Sequence, residues 1–505
     1  MSEKLFNRIL VANRGEIAVR IINACRLLDI PTLAIYSTAD KDSVHARLAD
    51  EAIEIGPPPP GESYLAIDKI IEAAKTHDCD AIHPGYGFLA ENPLFPEACE
   101  KTDLAFIGPP SGAMRLMGNK IASRIKMAEV GVPLIPGMQA AGDDIESFHR
   151  AAEAAGYPVL IKAAAGGGGK GMRIVHKADD LQSSVEAAMR ESKKAFGDDT
   201  VYLEKYIQDP RHIEIQVLAD HHGNTIHLFE RECSIQRRHQ KIIEETPSVA
   251  LTPEARARMG EAAVKVAEAV DYKNAGTVEF LFDKEGNFYF LEMNTRVQVE
   301  HPVTEMVTGV DLVVEQIKIA AGREISEYAR TAVQRGHAIE CRIYAEDADN
   351  NFLPSSGEIV YYQEPSGPGI RVDSGVRSGI VVGVDYDPIL AKLIVYAPTR
   401  DLAISKMIKA LKDYPILGIK TSRKFMIDVL SHEKFKAGLT YTSFIEEHMS
   451  GIQPDFEAVL ELAVAASSAA LAADQGSPTK TTVSTVQNSP WQSIGPWEIG
   501  ARISR

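Results

Sequence analysis

The sequence predicts an α/β protein with a parallel sheet near its amino terminus, and two observations carry this prediction. The opening RILVANRGEIAVRIINACRLLDIPTLAIYS has the pattern of a strand, a tight turn, an amphipathic helix and a second strand. This is the pattern of a βαβ unit. Strand and helix patterns then continue along the chain to about residue 450. Such a series is typical of a sheet covered by helices.

Length and composition bound the class of protein. The chain has 505 residues, 45% of them hydrophobic, which is enough for several cores and about three domains. Its five cysteines form no C-x-x-C pair, a usage typical of reduced cytosolic thiols. The net charge of −16 argues against general nucleic-acid binding. The sequence has neither a long apolar run nor a secretory signal pattern. We therefore expect a cytoplasmic protein with no membrane or nucleic-acid partner.

Two loops in the amino-terminal region follow predicted strands. The turn ANRGE has a single glycine, whereas a dinucleotide-binding turn has three, so a nicotinamide or flavin site is not expected there. The second loop, in AIHPGYGFLAEN, stands at the carboxyl end of a strand, where open α/β sheets bind ligands. A Pro-Pro break in AFIGPPSG then marks a predicted domain boundary.

The stretch KAAAGGGGKGM, residues 162–172, lies between two apolar runs. This pattern predicts a hairpin of two strands joined by a glycine-rich tip. It does not match a Walker phosphate loop, because Gly171 stands where Ser or Thr is required. Glycines let an anion approach the backbone amides closely. A phosphate-binding tip is one interpretation, and a plain turn or flexible linker is the other.

The stretch TVEFLFDKEGNFYFLEMN predicts a hairpin with a metal site. Aromatic-rich strands flank the turn residues DKEGN. With a four-residue loop, Lys284–Asn287, Glu279 lies opposite Glu292, and such a pair repels unless a cation lies between the carboxylates. Asn294 follows on the same face, and these three oxygen donors suit Mg²⁺. A five-residue loop is the alternative, and it would put the two glutamates on opposite faces.

The next segment, RVQVEHP, predicts a small-anion site. Arg296, Gln298 and Glu300 alternate, so in a strand all three would point to one side. Arg and Gln offer donors, and Glu300 can act as a general base. Upstream, SIQRRHQKIIEE adds the polar residues Gln236, His239 and Lys241. A solvated charged surface is the alternative, although apolar HLF and II runs bracket this segment.

Eight motifs in order resemble the biotin carboxylases. They are LVANRGEIAVR, IHPGYGFLAEN, LIKAAAGGGGKGM, EKYI with RHIEIQVLAD, RECSIQRRHQKIIEE, VEFLF, EMNTRVQVEHPVTEM and GHAIECRI. The resemblance covers about residues 4–450 and implies an ATP-grasp fold. The implied domains are a Rossmann-like domain (1–115), an ATP-grasp domain (116–335) with a mobile lid (about 132–204), a carboxyl-terminal domain (336–450), and a helix plus flexible tail (451–505).

The resemblance also implies a role for individual residues. ATP would be bound by Lys120, Lys162, Gly168, Gly169, Glu204, Lys205, Ile207, His212, Gln236 and His239. Mg²⁺, or Mn²⁺ in its place, would be held by Glu279, Glu292 and Asn294. Bicarbonate would be bound by Lys241, Arg296, Gln298, Val299 and Glu300, and biotin by Tyr86 and Arg342. The catalytic residues would be Glu300 as base, Arg342 for the ureido enolate, Lys241 and Arg296.

The implied activity is carboxylation of biotin with ATP and bicarbonate through carboxyphosphate, the first half-reaction of an acyl-CoA or pyruvate carboxylase. The chain has no A-M-K-M tetrapeptide and no visible carboxyltransferase segment. We therefore expect biotin on a separate biotin carboxyl carrier protein, a separate carboxyltransferase as partner, and a homodimer or larger complex. The final acceptor stays open among acetyl-CoA, propionyl-CoA, methylcrotonyl-CoA and pyruvate. Another ATP-grasp carboxylate or carbamate ligase and a non-catalytic ATP-binding scaffold are the alternative functions.

Overall fold

Parallel strands with covering helices open the chain, as the sequence predicts. The computed structural model describes residues 4–138, 144–164 and 172–449, which all belong to one compact unit. The glycine tip with Gly168 and Gly169, and the tail 451–505, lie outside the described residues. Within the described ranges we find no helix that is both long and apolar enough to cross a membrane.

The amino-terminal sheet is a five-stranded parallel sheet in the order β3-β2-β1-β4-β5. Its elements are β1 (Ile9–Val11), α1 (Gly15–Leu27), β2 (Thr32–Ser37), α2 (Val44–Leu48), β3 (Glu51–Gly56), α3 (Ile67–Thr76), β4 (Ala81–His83), α4 (Leu94–Glu100) and β5 (Ala105–Phe106). The strand order reverses between β1 and β4, so the loops after these strands meet. Asn13 Nδ2 joins them by donating to the carbonyl oxygens of Pro84 (2.6 Å) and Tyr86 (2.7 Å).

A small antiparallel sheet follows two helices. The elements are α5 (Ser111–Gly118), α6 (Lys120–Glu129), α7 (Ile145–Ala155), β6 (Val159–Ala163), β7 (Arg173–Val175), α8 (Leu181–Phe196) and β8 (Val201–Lys205). The strand order is β7-β6-β8, and β6 pairs antiparallel with β7, which confirms the predicted hairpin. Phe148, Val159, Ile161, Val185 and Leu203 belong to a hydrophobic core that this sheet shares with α7 and α8.

The rest of the described chain forms a large antiparallel sheet with short strands beside it. The strands are β9 (Arg211–Ala219), β10 (Thr225–Arg237), β11 (Gln240–Thr246), β12 (Asn274–Phe282), β13 (Phe288–Asn294), β14 (His337–Tyr344), β15 (Glu346–Asp347), β16 (Leu353–Pro354), β17 (Gly357–Glu358), β18 (Tyr361–Tyr362), β19 (Ile370–Ser374), β20 (Val381–Val382), β21 (Ile389–Ala397) and β22 (Ile416–Leu417). Eight of them pair in the order β13-β12-β9-β10-β11-β14-β21-β19. One sheet therefore contains strands from both sides of residues 335–336, where the family resemblance implies a domain boundary.

Helices pack against this sheet at several of its strands, among them β9, β10, β12, β14 and β21. They are α9 (Pro253–Ala269), α10 (His301–Thr308), α11 (Leu312–Ala320), α12 (Glu327–Arg330), α13 (Arg400–Lys412), α14 (Arg423–Ser431), α15 (Glu433–Lys436) and α16 (Phe444–His448). Helix α9 begins where the Thr252 side chain accepts a hydrogen bond from the Ala255 amide, with Pro253 in the first turn. Helix α10 is flanked by Glu300 at its amino-terminal cap and by Gly309 at its carboxyl-terminal cap, where a φ of 76° is the left-handed conformation that glycine adopts without strain.

Candidate active site

One face of the large sheet carries a row of charged side chains across four neighbouring strands. Arg231 on β10 lies opposite Glu214 on β9. Glu214 in turn lies opposite Glu279 on β12, which lies opposite Glu292 on β13. The three carboxylates Glu214, Glu279 and Glu292, which we call the acidic row, repel one another in a poorly solvated interior. This face of the sheet is therefore stable only with positive charge beside it.

A β-bulge puts Glu292 in this row. The loop between β12 and β13 has five residues, because Phe282 pairs with Phe288, so the predicted four-residue loop is wrong. The register then shifts by one residue before the Glu279–Glu292 pair, which leaves Leu291 without a partner in the ladder. The extra residue brings Glu292 back to the face of Glu279. The predicted opposition of the two glutamates is thereby confirmed, although the loop length alone would have prevented it.

The predicted metal ligands form a donor set that suits a hard divalent cation. Glu279 is buried and Glu292 is half-buried. Asn294 Nδ2 donates to Glu279 Oε1 at 2.8 Å. Burial and the neighbouring Glu279 carboxylate raise the pKa of Glu292, which is the electrostatic conflict that a bound cation relieves. Two carboxylates and an amide oxygen are ligands that Mg²⁺ accepts.

Lys241 is the cation at the centre of the site. Its Nζ lies 2.5 Å from Glu214 Oε2, 2.8 Å from Glu279 Oε1 and 2.7 Å from Glu300 Oε1. Burial opposes the charge on Lys241, but these three carboxylates raise its pKa well above the usual range. The lysine is therefore held fully charged. It links the acidic row of the sheet to the amino-terminal end of α10, where Glu300 lies.

Glu300 is held between two cations. Besides Lys241, it accepts a hydrogen bond from Arg342 Nη2 at 2.9 Å. Glu300 is 1% exposed, and burial alone would raise its pKa. The charges of Lys241, Arg342 and Arg231 outweigh burial and lower the pKa of Glu300 well below its usual value. The side chain is thus an ionised carboxylate at neutral pH.

The segment with Arg296, Gln298 and Glu300 is not a strand, which corrects the prediction. Strand β13 ends at Asn294, and residues 295–300 form bends and a turn that lead into α10. Arg296 Nε lies 3.1 Å from Glu91 Oε2, and its Nη2 donates to Asn294 Oδ1 at 3.1 Å. Gln298 Nε2 donates to Glu279 Oε1 at 2.8 Å. The bends still bring Arg296, Gln298 and Glu300 to one site, for a reason other than strand alternation.

Arg231 and Glu214 belong to the site but were not found from the sequence. Both side chains are fully buried, and Arg231 Nε bonds to Glu214 Oε1. Arg231 also donates to Gln216 and Thr304 through Nη1, and to Thr277 and Gln298 through Nη2. A signal was present in RHIEIQV, where Glu214 shares its strand face with the predicted ligand His212.

Glu204 lies on the side of the site where the family resemblance implies that ATP binds. It is buried on β8 and bonds to Lys162 Nζ on β6. Its other oxygen accepts from Arg124 Nη1 at 3.2 Å, and Arg124 Nη2 donates to the Ile135 carbonyl at 3.0 Å. Arg124 of α6 was likewise missed from the sequence. Arg124 thereby links β8 of the small sheet to Ile135, in the segment between α6 and α7.

The other predicted ATP ligands divide into two groups. Lys120 begins α6 and lies near enough to Glu292 to lower its pKa, His212 Nε2 lies 2.9 Å from Glu279 Oε2, and Gln236 pairs with Lys241. These three lie at the acidic row. By contrast, Lys205 turns its side chain away, because its Nζ donates to the carbonyl oxygens of Gly156 and Tyr157. His239 lies exposed in the turn between β10 and β11, and Ile207 lies between β8 and β9.

The loop after β4 brings Tyr86 toward the same region. Lys392 Nζ lies 5.8 Å from the centre of the Tyr86 ring and donates to the Val299 carbonyl at 2.9 Å. The Tyr86 hydroxyl is buried and has no hydrogen-bond partner among the described residues. Buried hydroxyls are normally satisfied. A polar region therefore lies beside Glu300, and it is lined by the Tyr86 hydroxyl, Lys392 and the backbone at Val299.

Models of three protein domains match the chain. The biotin carboxylase N-terminal domain matches residues 5–114, the ATP-binding domain of the carbamoyl-phosphate synthase L chain matches residues 119–328, and the biotin carboxylase C-terminal domain matches residues 340–447. Biotin carboxylase 1 of Bacillus subtilis (strain 168) is 52% identical over 445 residues, covering 88% of this chain and 99% of that protein. The chain belongs to the biotin carboxylase family. As a biotin carboxylase, it is an ATP-dependent ligase with the ATP-grasp fold.

Other relatives extend the similarity to enzymes with named acceptors. One component of the pyruvate carboxylase of Methanothermobacter thermautotrophicus is 52% identical over 457 residues, covering 90% of this chain and 93% of that protein. The biotin carboxylase domain dimer of the Hydrogenobacter thermophilus 2-oxoglutarate carboxylase, solved with MgADP, ADP and bicarbonate, superposes with a TM-score of 0.84. It is 47% identical, covering 88% of this chain and 98% of that one. This biotin carboxylase is of the type that serves pyruvate or acyl-CoA carboxylases.

Proposed function

We propose that this biotin carboxylase transfers CO₂ from bicarbonate to biotin on a separate carrier protein, with Glu300 and Arg342 as its central catalytic residues. The observation that carries the assignment is that Glu300 is bonded at once to Lys241, at 2.7 Å, and to Arg342, at 2.9 Å. One carboxylate thus connects a cation at the acidic row, Lys241, with a cation on β14, Arg342. Such a bridge suits a reaction with two consecutive anionic species.

In the first step, bicarbonate binds beside Lys241 and Arg296, and Glu300 takes its proton. The bicarbonate oxygen attacks the γ-phosphorus of ATP, and the bond from that phosphorus to the ADP oxygen breaks. The products are carboxyphosphate and ADP. A carboxylate with a strongly lowered pKa is a weak base, but the negative charge of bicarbonate bound beside Lys241 would offset part of the positive charge that lowers the pKa of Glu300. Substrate binding thus strengthens the base.

In the second step, carboxyphosphate breaks into CO₂ and phosphate. The phosphate takes the proton from the ureido nitrogen of biotin, and that nitrogen then forms the bond to the CO₂ carbon. Negative charge develops meanwhile on the ureido oxygen, where Arg342 stabilises it. Arg342 is buried, and its Nη2 already faces the amino-terminal end of α10. The Tyr86 hydroxyl lines the place for the ureido ring.

The charges at the acidic row suit the nucleotide end of this reaction. Glu279, Glu292 and Asn294 would hold Mg²⁺, which neutralises the phosphate charge during phosphoryl transfer. Lys162 and Lys120 would contact the phosphates, together with His212 and Gln236. The backbone at Ile207, with Glu204 and Lys205, would bind the adenine. Gly168 and Gly169 belong to the proposed lid, residues 132–204, whose small sheet with its own hydrophobic core supports motion as one body.

The partners follow from the product. Carboxybiotin is useful only when a carrier delivers it to a carboxyltransferase, so we propose both as partners, in a homodimer or larger complex. The Methanothermobacter pyruvate carboxylase component and the dimeric 2-oxoglutarate carboxylase domain among the similar proteins support this proposal. Acetyl-CoA, propionyl-CoA, methylcrotonyl-CoA and pyruvate are the candidate acceptors. The choice among them lies with the carboxyltransferase.

The test measures ATP cleavage and fixation of labelled bicarbonate on free biotin by the purified chain. We expect ATP cleavage to require bicarbonate, to rise when biotin is added, and to yield acid-labile carboxybiotin. ATP cleavage that responds to an amine or another carboxylate, but not to biotin, would identify a different ATP-grasp ligase. Nucleotide binding without any cleavage would identify a scaffold. Either result would refute the proposal.

A further inference from the structure

Behind Arg342, a second row of ionisable side chains crosses the large sheet. Glu244 on β11 lies directly opposite Glu340 on β14. Arg342 follows two residues later on β14, so it shares the face of Glu340. Arg342 lies opposite Lys392 on β21, and Lys392 lies opposite Asp373 on β19. The two glutamates therefore lie side by side on the face of the sheet from which the Arg342 side chain projects.

The glutamate pair is buried and incompletely bonded. Both side chains are 0% exposed. Glu244 Oε1 accepts a hydrogen bond from Arg342 Nε at 2.6 Å. Glu244 Oε2 and both oxygens of Glu340 accept no hydrogen bond from any described residue. Two buried carboxylates across one ladder rung repel strongly, and one of them is normally kept protonated.

Lys392 is a second cation near the pair, but among the described residues it donates no hydrogen bond to Glu340. The charged or titratable groups that act on the pair are Arg342, Lys392, Lys241, Glu300, Cys233, Cys341 and Tyr344. Lys392 is already engaged by the Val299 carbonyl at 2.9 Å and by Glu16 Oε2 at 3.4 Å. On β21, the strand on the other side of β14 from β11, Ile394 lies opposite Glu340 and packs against Val303 of α10.

The direction of the pKa values agrees with this geometry. Burial raises the pKa of Glu244 to about 7, against the opposing charge of Arg342. Burial also raises the pKa of Glu340 well above its usual value, although Lys392 opposes this. Both groups thus favour the protonated form far more than an ordinary glutamate does. A single proton on the pair leaves one negative charge beside Arg342 instead of two.

We propose that Glu244 and Glu340 share one proton and act as a positioning pair for Arg342. With one proton, the pair holds Arg342 by Nε only, which leaves Nη2 to turn from Glu300 to the ureido oxygen. Without that proton, two negative charges draw the guanidinium toward the sheet and oppose its use by biotin. The inference rests on the role proposed for Arg342. It adds a residue pair that touches neither substrate nor metal.

The first test compares the variants Glu340→Gln and Glu244→Gln over a range of pH. In Glu340→Gln the site cannot gain a second negative charge as the pH rises, so the alkaline fall of kcat/KM for free biotin should move upward by about one pH unit or more. Glu244→Gln removes the partner of Arg342 and should raise KM for biotin by about 10-fold or more. Bicarbonate-dependent ATP cleavage without biotin should change less than about threefold in both variants.

Glu245→Gln is the matched control. Glu245 neighbours Glu244 on β11, is also buried, and points to the opposite face, where it bonds to His337 and Arg400. An unchanged alkaline limb in Glu340→Gln, or the same change in Glu245→Gln, would overturn the proposal. If Arg342→Ala itself leaves biotin carboxylation intact, the proposed role of Arg342 fails first.

Infrared spectroscopy tests the proton directly and needs only the wild-type protein. A C=O stretching band from protonated carboxyl groups should be present at pH 7 and should weaken as the solution is made alkaline. Part of that band should be absent from folded Glu340→Gln. A wild-type spectrum without any protonated carboxyl band at pH 7 would overturn the shared proton, whether or not the variants fold.

Discussion

Replacing Glu16 by glutamine should remove a pH dependence from the stability of the protein. Glu16 lies in α1, is 2% exposed, and pairs only with Lys392 Nζ, at 3.4 Å, among the described residues. Neither of its oxygens accepts a hydrogen bond within the described part of the chain. Burial therefore raises its pKa from 4.5 to about 7, against the opposing charge of Lys392. The folded state is therefore most stable when the Glu16 carboxyl group is protonated.

The size and sign of the effect follow from linkage. A pKa that is higher in the folded state than in the unfolded state gives stability that is present below about pH 4.5 and is lost as pH rises through about 7. The difference between the two pKa values corresponds to about 3 kcal/mol. Glu16→Gln should therefore gain about 2.5 kcal/mol relative to the wild type when pH is raised from 5 to 8, because part of the effect is already present at pH 5.

Urea unfolding of both proteins at several pH values measures this difference. The exposed Glu54→Gln, on β3, is the control, and its difference from the wild type should stay constant across the same range. A Glu16→Gln difference that is equally constant would refute the reasoning. It would mean that Lys392 keeps Glu16 ionised in the folded state as readily as water does in the unfolded state.

Four further variants test the assigned roles. Glu300→Gln should retain ATP binding, measured by calorimetry, but lose bicarbonate-dependent ATP cleavage by about 10²-fold or more; near-normal turnover would remove Glu300 from the mechanism. Arg342→Ala should reduce biotin carboxylation much more than ATP cleavage without biotin, and an equal loss of both activities would contradict its enolate role. Arg231→Met should leave the buried Glu214 with Lys241 as its remaining cationic partner and lower the free energy of unfolding in urea by about 3–5 kcal/mol, so a loss below about 1 kcal/mol would show that Lys241 alone satisfies Glu214. Gly168→Val combined with Gly169→Val should raise KM for ATP while the thermal unfolding midpoint stays nearly constant, since a plain turn would lose stability instead.

The architecture could be predicted where local pattern and tertiary contact agree. The βαβ opening and the hairpin around the glycine stretch appear in the structure as the sequence predicts. These elements have alternating or continuous apolar residues that are buried as the pattern requires. The pairing of β11 with β14, in contrast, joins residues about a hundred positions apart. Nothing in the periodicity of either strand identifies its neighbour.

The acidic row shows how a correct conclusion can come from an incorrect step. The four-residue loop was wrong, and the glutamates face each other because Leu291 forms a bulge. A bulge depends on the packing of both strands and leaves no clear mark in the sequence. Similarly, Arg296, Gln298 and Glu300 alternate along the chain but reach the site through bends. Their residue types predicted the chemistry better than their spacing predicted the backbone.

Buried charged residues were the least predictable part of the site. Arg231, Glu214 and Glu244 look like ordinary strand residues of a solvated face, yet all three are fully buried. Their burial is stable only because each finds an oppositely charged partner on a neighbouring strand. Such partners become known only when the strand order and register are known.

The unbroken sheet from β13 to β19 limits how this enzyme can be divided or recombined. A fragment that stops at residue 335 would leave the backbone of β11 as an open edge, where other chains can add and aggregate. It would also uncover Ile243, which packs with residues of β14 and β21 in one hydrophobic core. Chimaeras that exchange the carboxyl-terminal portion between relatives must therefore match the facing sides of β11 and β14, including Glu244 and Glu340. Insertions are better placed in surface turns such as Asp283–Asn287, which interrupt no strand pairing.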